Sequence, residues 1–386
     1  MSTAPPFDID MTAFWRDPYP ALREMRAGAP ICNVAGLGGT VFAARDDIFV
    51  CEKNIEVFSS HQPDGLMNKL MGHNLMRKDG PPHARERKAI FPTVSPKTVR
   101  DHWSHLFARR TDEILDQLQP TGKADLCKDY ALPVSGEALK VITGLTNVSF
   151  TNMDDWSQAM IDGIANYTGD AGVEASCYEA TAHIDAAIDD MVPVLTKSPD
   201  HSLLAVMLAA GLPMDSIRAN IKLAISGGQN EPRDVIAGAS WALLKHRDQL
   251  QKVCKGEITW KQVFEEYCRW ISPIGMTPRR IDRDFSYKGI DFFRDDKVFF
   301  MFSSANRDEN HFDKGDRFDL CRDISKSIAF GAGPHFCAGA WAARALVGEV
   351  ALPKLFERME NLRLVDETVF GGWAFRGPLA VRVEWD

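Results

Sequence analysis

Phe330-Gly331-Ala332-Gly333-Pro334-His335-Phe336-Cys337-Ala338-Gly339 is the stretch that decides the reading of this 386-residue chain. It runs into residues 340–352, whose apolar periodicity predicts a helix. A cysteine just before a helix start lies among free N–H donors and the positive end of the helix dipole. Both favour the thiolate over the thiol. The glycines let the backbone approach a flat cofactor closely and adopt dihedrals that other residues avoid. A buried structural cysteine in a glycine-rich turn is the commoner use of such a residue, so the surrounding motifs have to decide.

Working upstream, Arg307 stands in Ala305-Asn306-Arg307-Asp308, and Arg279 and Arg280 follow Ser272-Pro273-Ile274. A guanidinium suits a carboxylate because it binds bidentately. Glu266-Tyr267-Cys268-Arg269 lies in a helical stretch, residues 259–270, where a Glu and an Arg three apart share one face and can pair. Earlier still, His83 and Arg87 stand four apart behind Pro81 and Pro82, which open a helix and put both side chains on one face. Taken in this order, from residue 79 to residue 377, the motifs resemble those of the cytochromes P450. The spacing FGxGxHxCxG is that family's cysteine signature, ExxR lies upstream of it, and HxxxR resembles the helix that binds a haem propionate.

The resemblance implies a mainly α fold with small β-sheets, a cytochrome P450 fold forming a single haem-binding domain over residues 1–386. It implies haem b as cofactor, with Cys337 as the axial thiolate ligand, which favours O–O cleavage. It places His83, Arg87 and Arg280 on haem propionates, with Arg279 as the alternative register. His335 donates to a propionate, and Phe330 and Gly339 belong to the haem-binding loop. Glu266, Arg269 and Arg307 form a structural network that holds this loop. The implied activity is a monooxygenase that uses O2 and two electrons. A peroxygenase using hydrogen peroxide is the alternative, and a non-enzymatic haem sensor or carrier ranks last.

One segment departs from the family. Family members mostly place an acid and then a Thr in the long helix. Aligned on Gly227-Gly228, this chain has Asn230 and Glu231 there, followed by Pro232. Pro232 lacks an N–H, and its ring clashes with the carbonyl of Gly228, so the helix should kink or open. Glu231 would then face the distal haem pocket and pass protons through water, with Asn230 and Gly228 beside it. The competing arrangement is a Glu turned outward to pair with Arg233 or a neighbour. The Gln/Asn-Glu-Pro variant and Gly372-Trp373-Ala374-Phe375-Arg376-Gly377-Pro378 resemble the aromatic O-demethylase subgroup. They imply a small hydrophobic, methoxy- or alkyl-phenol type of substrate. Family position would line its pocket from residues 66–75, 160–167, Ala224, Gly228, 274–277 and 370–373, segments that are largely apolar and aromatic.

The rest of the sequence is consistent with this class. A net charge of −8 argues against nucleic-acid binding. The eight cysteines are scattered, with no CxxC or CxxCH, as in a reducing cytoplasm. Residues 1–10 carry no basic and apolar leader, and no apolar run reaches membrane-spanning length, so no membrane association is expected. Helices are predicted over 14–27, 105–118, 178–195 and 217–244. Strands are predicted over 39–44, 285–287, 297–301 and 380–384, and a loop over 63–76. The sequence shows no fused flavin or iron–sulfur domain, so electrons are expected from a separate 2Fe-2S ferredoxin and its reductase. Arg85, Lys88, Arg109, Arg110, Arg322, Lys326 and Arg344 are candidates for a basic docking face.

Overall fold

Residues 39–42, 277–281 and 297–300 form strands in the computed structural model, which describes residues 1–166 and 169–386. The chain forms two compact units. The first contains Met1–Gln62, Gly238–Cys337 and Glu367–Val381; the second contains Pro63–Ala237, Ala338–Asp366 and Arg382–Asp386. The sequence marks no linker at these boundaries because each unit is assembled from three separated stretches. Mainly helical with small sheets, the architecture matches the expected class. Among the described residues no helix is long and apolar enough to cross a membrane.

The first unit is built on a five-stranded sheet. Its strands are β1 (Ile31–Val34), β2 (Gly39–Phe42), β3 (Phe58–Ser59), β4 (Thr277–Ile281) and β5 (Lys297–Phe300), in the order β1-β2-β5-β4-β3. Only the β2–β5 pairing is parallel among these. Phe42, Phe58, Phe292 and Phe300 lie buried against it, with Phe42 and Phe300 edge to face at 5.3 Å. Such pairs contribute roughly 0.5–1.5 kcal/mol beyond their buried area. The helix Trp260–Ile271 starts at a complete capping box, Thr259 with Gln262.

The second unit is a helical assembly that includes Gly80–Val94, Ser104–Leu118, Leu132–Thr143, Phe150–Ile164, Ala171–Lys197 and Met214–Ser226. Its core contains the fully buried Met153, Met160, Ile184, Ile188, Ile217, Ile221 and Ile225. Residues at spacings of three, four and seven fall on one helix face, which is why Ile217, Ile221 and Ile225 meet this core together.

Three sequence expectations are corrected. Residues 14–27 make two helices, Met11–Arg16 and Tyr19–Gly28, because Asp17-Pro18 interrupts them. Residues 63–76 are not simply a loop: Leu66–Met71 is a helix whose Met67, Leu70 and Met71 are buried in the core. The helix expected over 217–244 is two helices, Met214–Ser226 and Asn230–Lys245, separated at residues 227–229.

The Glu266–Arg269 pair is fully buried, with the two side chains 2% and 0% exposed. Arg269 donates from Nε to Glu266 Oε2 at 2.6 Å and from Nη2 to Oε1 at 2.7 Å. Its remaining donors reach the carbonyls of Asn306 (2.7 Å), Gly315 (2.9 Å) and Arg317 (3.1 Å). Arg307, expected as the third member of this network, makes different contacts. It donates to Trp270 O (2.8 Å) and Asp316 Oδ1 (3.0 Å) and lies 3.3 Å over the Tyr19 ring. The third and fourth groups on Glu266 are Arg322 Nε (3.5 Å) and the Asp319 N–H (3.0 Å). Glu266 Oε1 already accepts from Arg269 and Asp319, which leaves Arg307 to the neighbouring layer.

Removing one partner of a buried pair leaves the other charge unpaired, at a cost of about 3–5 kcal/mol. Glu266→Ala should therefore be poorly folded or haem-free when purified. Normal thermal stability with full haem content would contradict this role.

Candidate functional site

The cysteine loop is shaped by its backbone. Gly331 and Gly333 adopt φ of 74° and 64°, a region that favours glycine. Gly333–His335 forms a single 3-10 turn, Phe336 N–H donates to Gly333 O (3.2 Å) and Cys337 N–H donates to Phe330 O (2.9 Å). The loop closes on itself and presents Cys337 at the surface of the first unit, with Phe336 also exposed and His335 half-buried. The following helix begins at Ala340 with Gly339 as its N-cap and continues through Arg344–Ala351 to Arg358. Apart from Gly339 itself and its chain neighbours, no described atom lies within 4 Å of where a Cβ on Gly339 would stand.

The loop is anchored by Glu52, a residue that sequence reasoning missed. The Ala332 N–H donates to Glu52 Oε2 at 2.8 Å, and Glu52 Oε1 lies 3.4 Å from Arg279 Nη2. No motif surrounds Glu52, so its sequence carried no signal. On β4, side chains alternate between the two faces. Arg279 is buried, whereas Arg280 forks to Asp282 Oδ1 (2.6 Å) and Asp295 Oδ1 (2.7 Å) and donates to His61 O (3.1 Å). Of the two registers considered for the propionate arginine, Arg280 is thus engaged by two carboxylates, and Arg279 is the inward member.

In the second unit, His83 and Arg87 lie one turn apart on the helix Gly80–Val94, His83 buried and Arg87 half-buried. Between them Glu86 is buried; burial alone would raise its carboxyl, but Lys78, Ser216 and Asn220 hold it below the usual range. Lys78 Nζ stands 2.5 Å from Glu86 Oε1, and Asn220 Nδ2 3.0 Å from Oε2. These contacts fix the rotation of the helix that carries both residues.

The break at residues 227–229 follows from Pro232. Proline is tolerated in the first turn of a helix, where N–H groups have no partner anyway, so Asn230–Lys245 starts just ahead of it. Serine hydroxyls add to the backbone bonds around the break. Ser157 Oγ donates to Ile225 O (3.1 Å), and Ser135 Oγ donates to Gln229 O (2.7 Å) and Gly228 O (3.4 Å). Gly228 has no room for a side chain, since a Cβ would lie 2.5 Å from Ala224 O. Asn230 is held at both ends of its amide, accepting from Ser157 Oγ (2.7 Å) and donating to Gln158 Oε1 (3.0 Å).

Glu231 is left as the carboxyl of this break. The arrangement in which it pairs with Arg233 does not form: Arg233 binds Asp154 Oδ1 (2.8 Å) and Asp234 Oδ1 (3.0 Å) instead. Glu231 keeps some exposed surface, but its Oε2 is shut from solvent and accepts no hydrogen bond. Burial pushes its carboxyl up to about 7, against the lowering pull of its own backbone N–H and of Arg233. Asp234, one turn on, is pushed by burial to about 6.

The site residues are divided between the units. Phe330, His335, Cys337 and Arg280 belong to the first, and His83, Arg87, Gly228, Asn230, Glu231 and Gly339 to the second. Several expected pocket residues are core instead: Met67, Leu70, Met71, Leu75 and Met160 are buried within the second unit. Tyr167 lies outside the described residues. Arg322, expected on a basic docking face, is half-buried with its Nε 3.5 Å from Glu266, and Arg110 pairs with Glu113 (2.6 Å).

The family profile described as Cytochrome P450 matches residues 259–358, the stretch that contains the Glu266–Arg269 pair and the cysteine loop. A Steroid C26-monooxygenase of Mycolicibacterium smegmatis is 27% identical over 378 residues, covering 95% of this chain and 92% of its own. Over residues 259–358 the chain is therefore similar to the cytochrome P450 family. A Vitamin D(3) 25-hydroxylase of Pseudonocardia autotrophica is also 27% identical, with 94% and 92% covered. Among solved structures, P450BioI in complex with an acyl carrier protein ligated to hexadec-9Z-enoic acid superposes with a TM-score of 0.89. It is 22% identical over 97% of this chain and 100% of that one, a likeness of fold. The chain thus resembles the haem-thiolate monooxygenases of that family, whose cofactor is haem b.

The residues present fit that cofactor. Within the first unit, an exposed thiol on a glycine loop and a buried guanidinium at Arg279 supply a soft ligand and a partner for a carboxylate.

Because the folded Glu231 pKa lies above its ordinary 4.5, the folded protein holds this proton more tightly than the unfolded chain. The stability it contributes is present below 4.5 and is lost as pH rises to about 7. The infrared difference between wild type and Glu231→Gln should contain a protonated-carboxyl band that disappears as pH is raised through neutrality. A band lost already in the ordinary carboxylate range would show that Glu231 is solvated.

Proposed function

We propose that this chain is a cytochrome P450 that holds haem iron through Cys337 and hydroxylates or O-dealkylates a small aromatic substrate, with Glu231 delivering protons. The exposed thiol of a self-closed glycine loop at a helix start carries the reading. Arg279 and the pair His83 and Arg87 are assigned to the propionates. Arg279 is preferred to Arg280 because the latter is already engaged by Asp282 and Asp295. When bound, the haem supplies oxygen activation: one atom of O2 enters the substrate and the other leaves as water, with two electrons and two protons consumed. Hydroxylation of an aryl methyl ether gives a hemiacetal, which releases a phenol and formaldehyde.

The chain's own residues have limited parts in this. Glu231 holds a proton at Oε2 near neutral pH and gives it up, the behaviour required of a general acid. Asn230, with its amide held by Ser157 and Gln158, positions the backbone that carries Glu231. Electrons come from a separate ferredoxin. Arg85, Lys88 and Lys326, which stay exposed, support an acidic partner, while Arg322 is withdrawn from that set.

Two tests follow. Glu231→Gln keeps size but loses the titrating proton, and general acid help is typically about 10²–10⁴-fold in rate. The variant should bind haem and substrate normally, consume reductant, release more hydrogen peroxide and form less product. Unchanged product per reductant would move the proton path elsewhere, and full activity with peroxide alone would favour the peroxygenase reading. For substrate class, spin-state titrations with methoxybenzenes, alkylphenols, steroids and fatty acids should show the tightest shifts from the aromatic ethers and phenols. The subgroup resemblance at residues 229–232 and 372–378 supports this outcome. Shifts from steroids alone, the class in the name of the mycobacterial relative, would contradict it.

A further inference from the structure

Glu52 lies just past the helix Arg45–Cys51, is 1% exposed, and is the C-cap residue. This is a poor place for a carboxylate. Burial disfavours its charge, and the negative end of a helix dipole repels it. A neutral side chain would suit the fold better, yet both carboxyl oxygens are used. Oε2 accepts from the Ala332 N–H at 2.8 Å, and Oε1 lies 3.4 Å from Arg279 Nη2. The loop is fitted to this carboxyl: a Cβ on Gly331 would stand 3.1 Å from Oε1, and one on Gly333 3.1 Å from Lys53 Cγ. All these groups belong to the first unit. Locally unfavourable residues kept under such constraint are expected at functional positions.

We propose that Glu52 is a positioning residue of the haem-thiolate centre: one carboxyl oxygen fixes the cysteine loop and the other aims the guanidinium of Arg279 at a haem propionate. Glu52 thereby couples the two points at which the first unit grips the cofactor, the sulfur side and the propionate side. It touches no reacting atom. Burial pushes its carboxyl up to about 7, against the opposing pull of Arg279 and the Ala332 N–H.

The inference rests on Cys337 as ligand and on Arg279 as the propionate residue, and the test separates these. Holoenzyme is prepared as wild type, Glu52→Gln, Arg279→Gln and the double variant. Three quantities are read: the rate of haem transfer to apomyoglobin, the fraction of reduced carbon-monoxide complex with a thiolate-type band, and the urea midpoint by far-ultraviolet circular dichroism. Glu52→Gln keeps an acceptor for Ala332 but removes the charge facing Arg279. It should lose haem at least tenfold faster and convert more readily to the thiol-type band, with the urea midpoint nearly unchanged. The double variant should lose haem no faster than Arg279→Gln, because Glu52 acts through that arginine. Wild-type haem retention in Glu52→Gln, fully additive effects in the double variant, or haem loss that merely tracks the urea midpoint would each overturn the proposal. If Glu52→Gln does not fold, the rate for Arg279→Gln still decides: wild-type haem retention there removes the arm through which Glu52 acts. A wild type without a thiolate-type band would instead sink the Cys337 reading itself.

Discussion

A guanidinium with no exposed surface must find partners for all five of its N–H donors, and the first unit is arranged around Arg269 doing so. Glu266 takes two of the bonds, and the carbonyls of Asn306, Gly315 and Arg317 take others, so one side chain gathers a chain segment that has little regular structure of its own. Asn306 continues the linkage. Its Oδ1 accepts from the Ile328 N–H at 2.8 Å, two residues before the cysteine loop. The thiol is thus supported from one side by a buried ion pair acting through the backbone and from the other by Glu52. Neither contact is strong evidence of net stability, since burying charges is costly. What they supply is a single geometry for the loop.

The helix break follows the same logic with different chemistry. Pro232 removes an N–H, Gly228 removes a side chain, and hydroxyls from Ser135 and Ser157 donate to carbonyls around the break. Arg233 then draws Asp154 and Asp234 together and leaves the half-buried Glu231 without a cation bound to its carboxyl. Burial is the largest influence on that carboxyl, and it acts in the direction a proton donor near neutral pH requires.

Much of the candidate site was legible in the sequence because its motifs are local and polar. The cysteine loop, the Glu266–Arg269 pair, the His83–Arg87 spacing and the break at Pro232 each reside within about ten residues or fewer, so backbone geometry alone orders them. What was not legible depends on the third dimension. The choice between Arg279 and Arg280 turns on which face of β4 is buried, and two adjacent arginines give no pattern by which to tell. Glu52 meets the loop across roughly 280 positions of chain. Met67, Leu70 and Met71 read as pocket or core with equal ease, because apolar side chains serve both, and the helix Leu66–Met71 turns them into the core. Arg322 looks like any surface charge until its contact with Glu266 is seen.

The central claim is that Cys337 binds the haem iron as a thiolate. The most direct measurement is the absorption spectrum of the reduced, carbon-monoxide-bound protein, fresh from purification, beside Cys337→Ser. The account predicts a strongly red-shifted Soret band in the wild type that is lost in the variant while the far-ultraviolet circular dichroism is retained. A histidine-type spectrum in the native wild type, or a thiolate-type band that survives in Cys337→Ser, would contradict it.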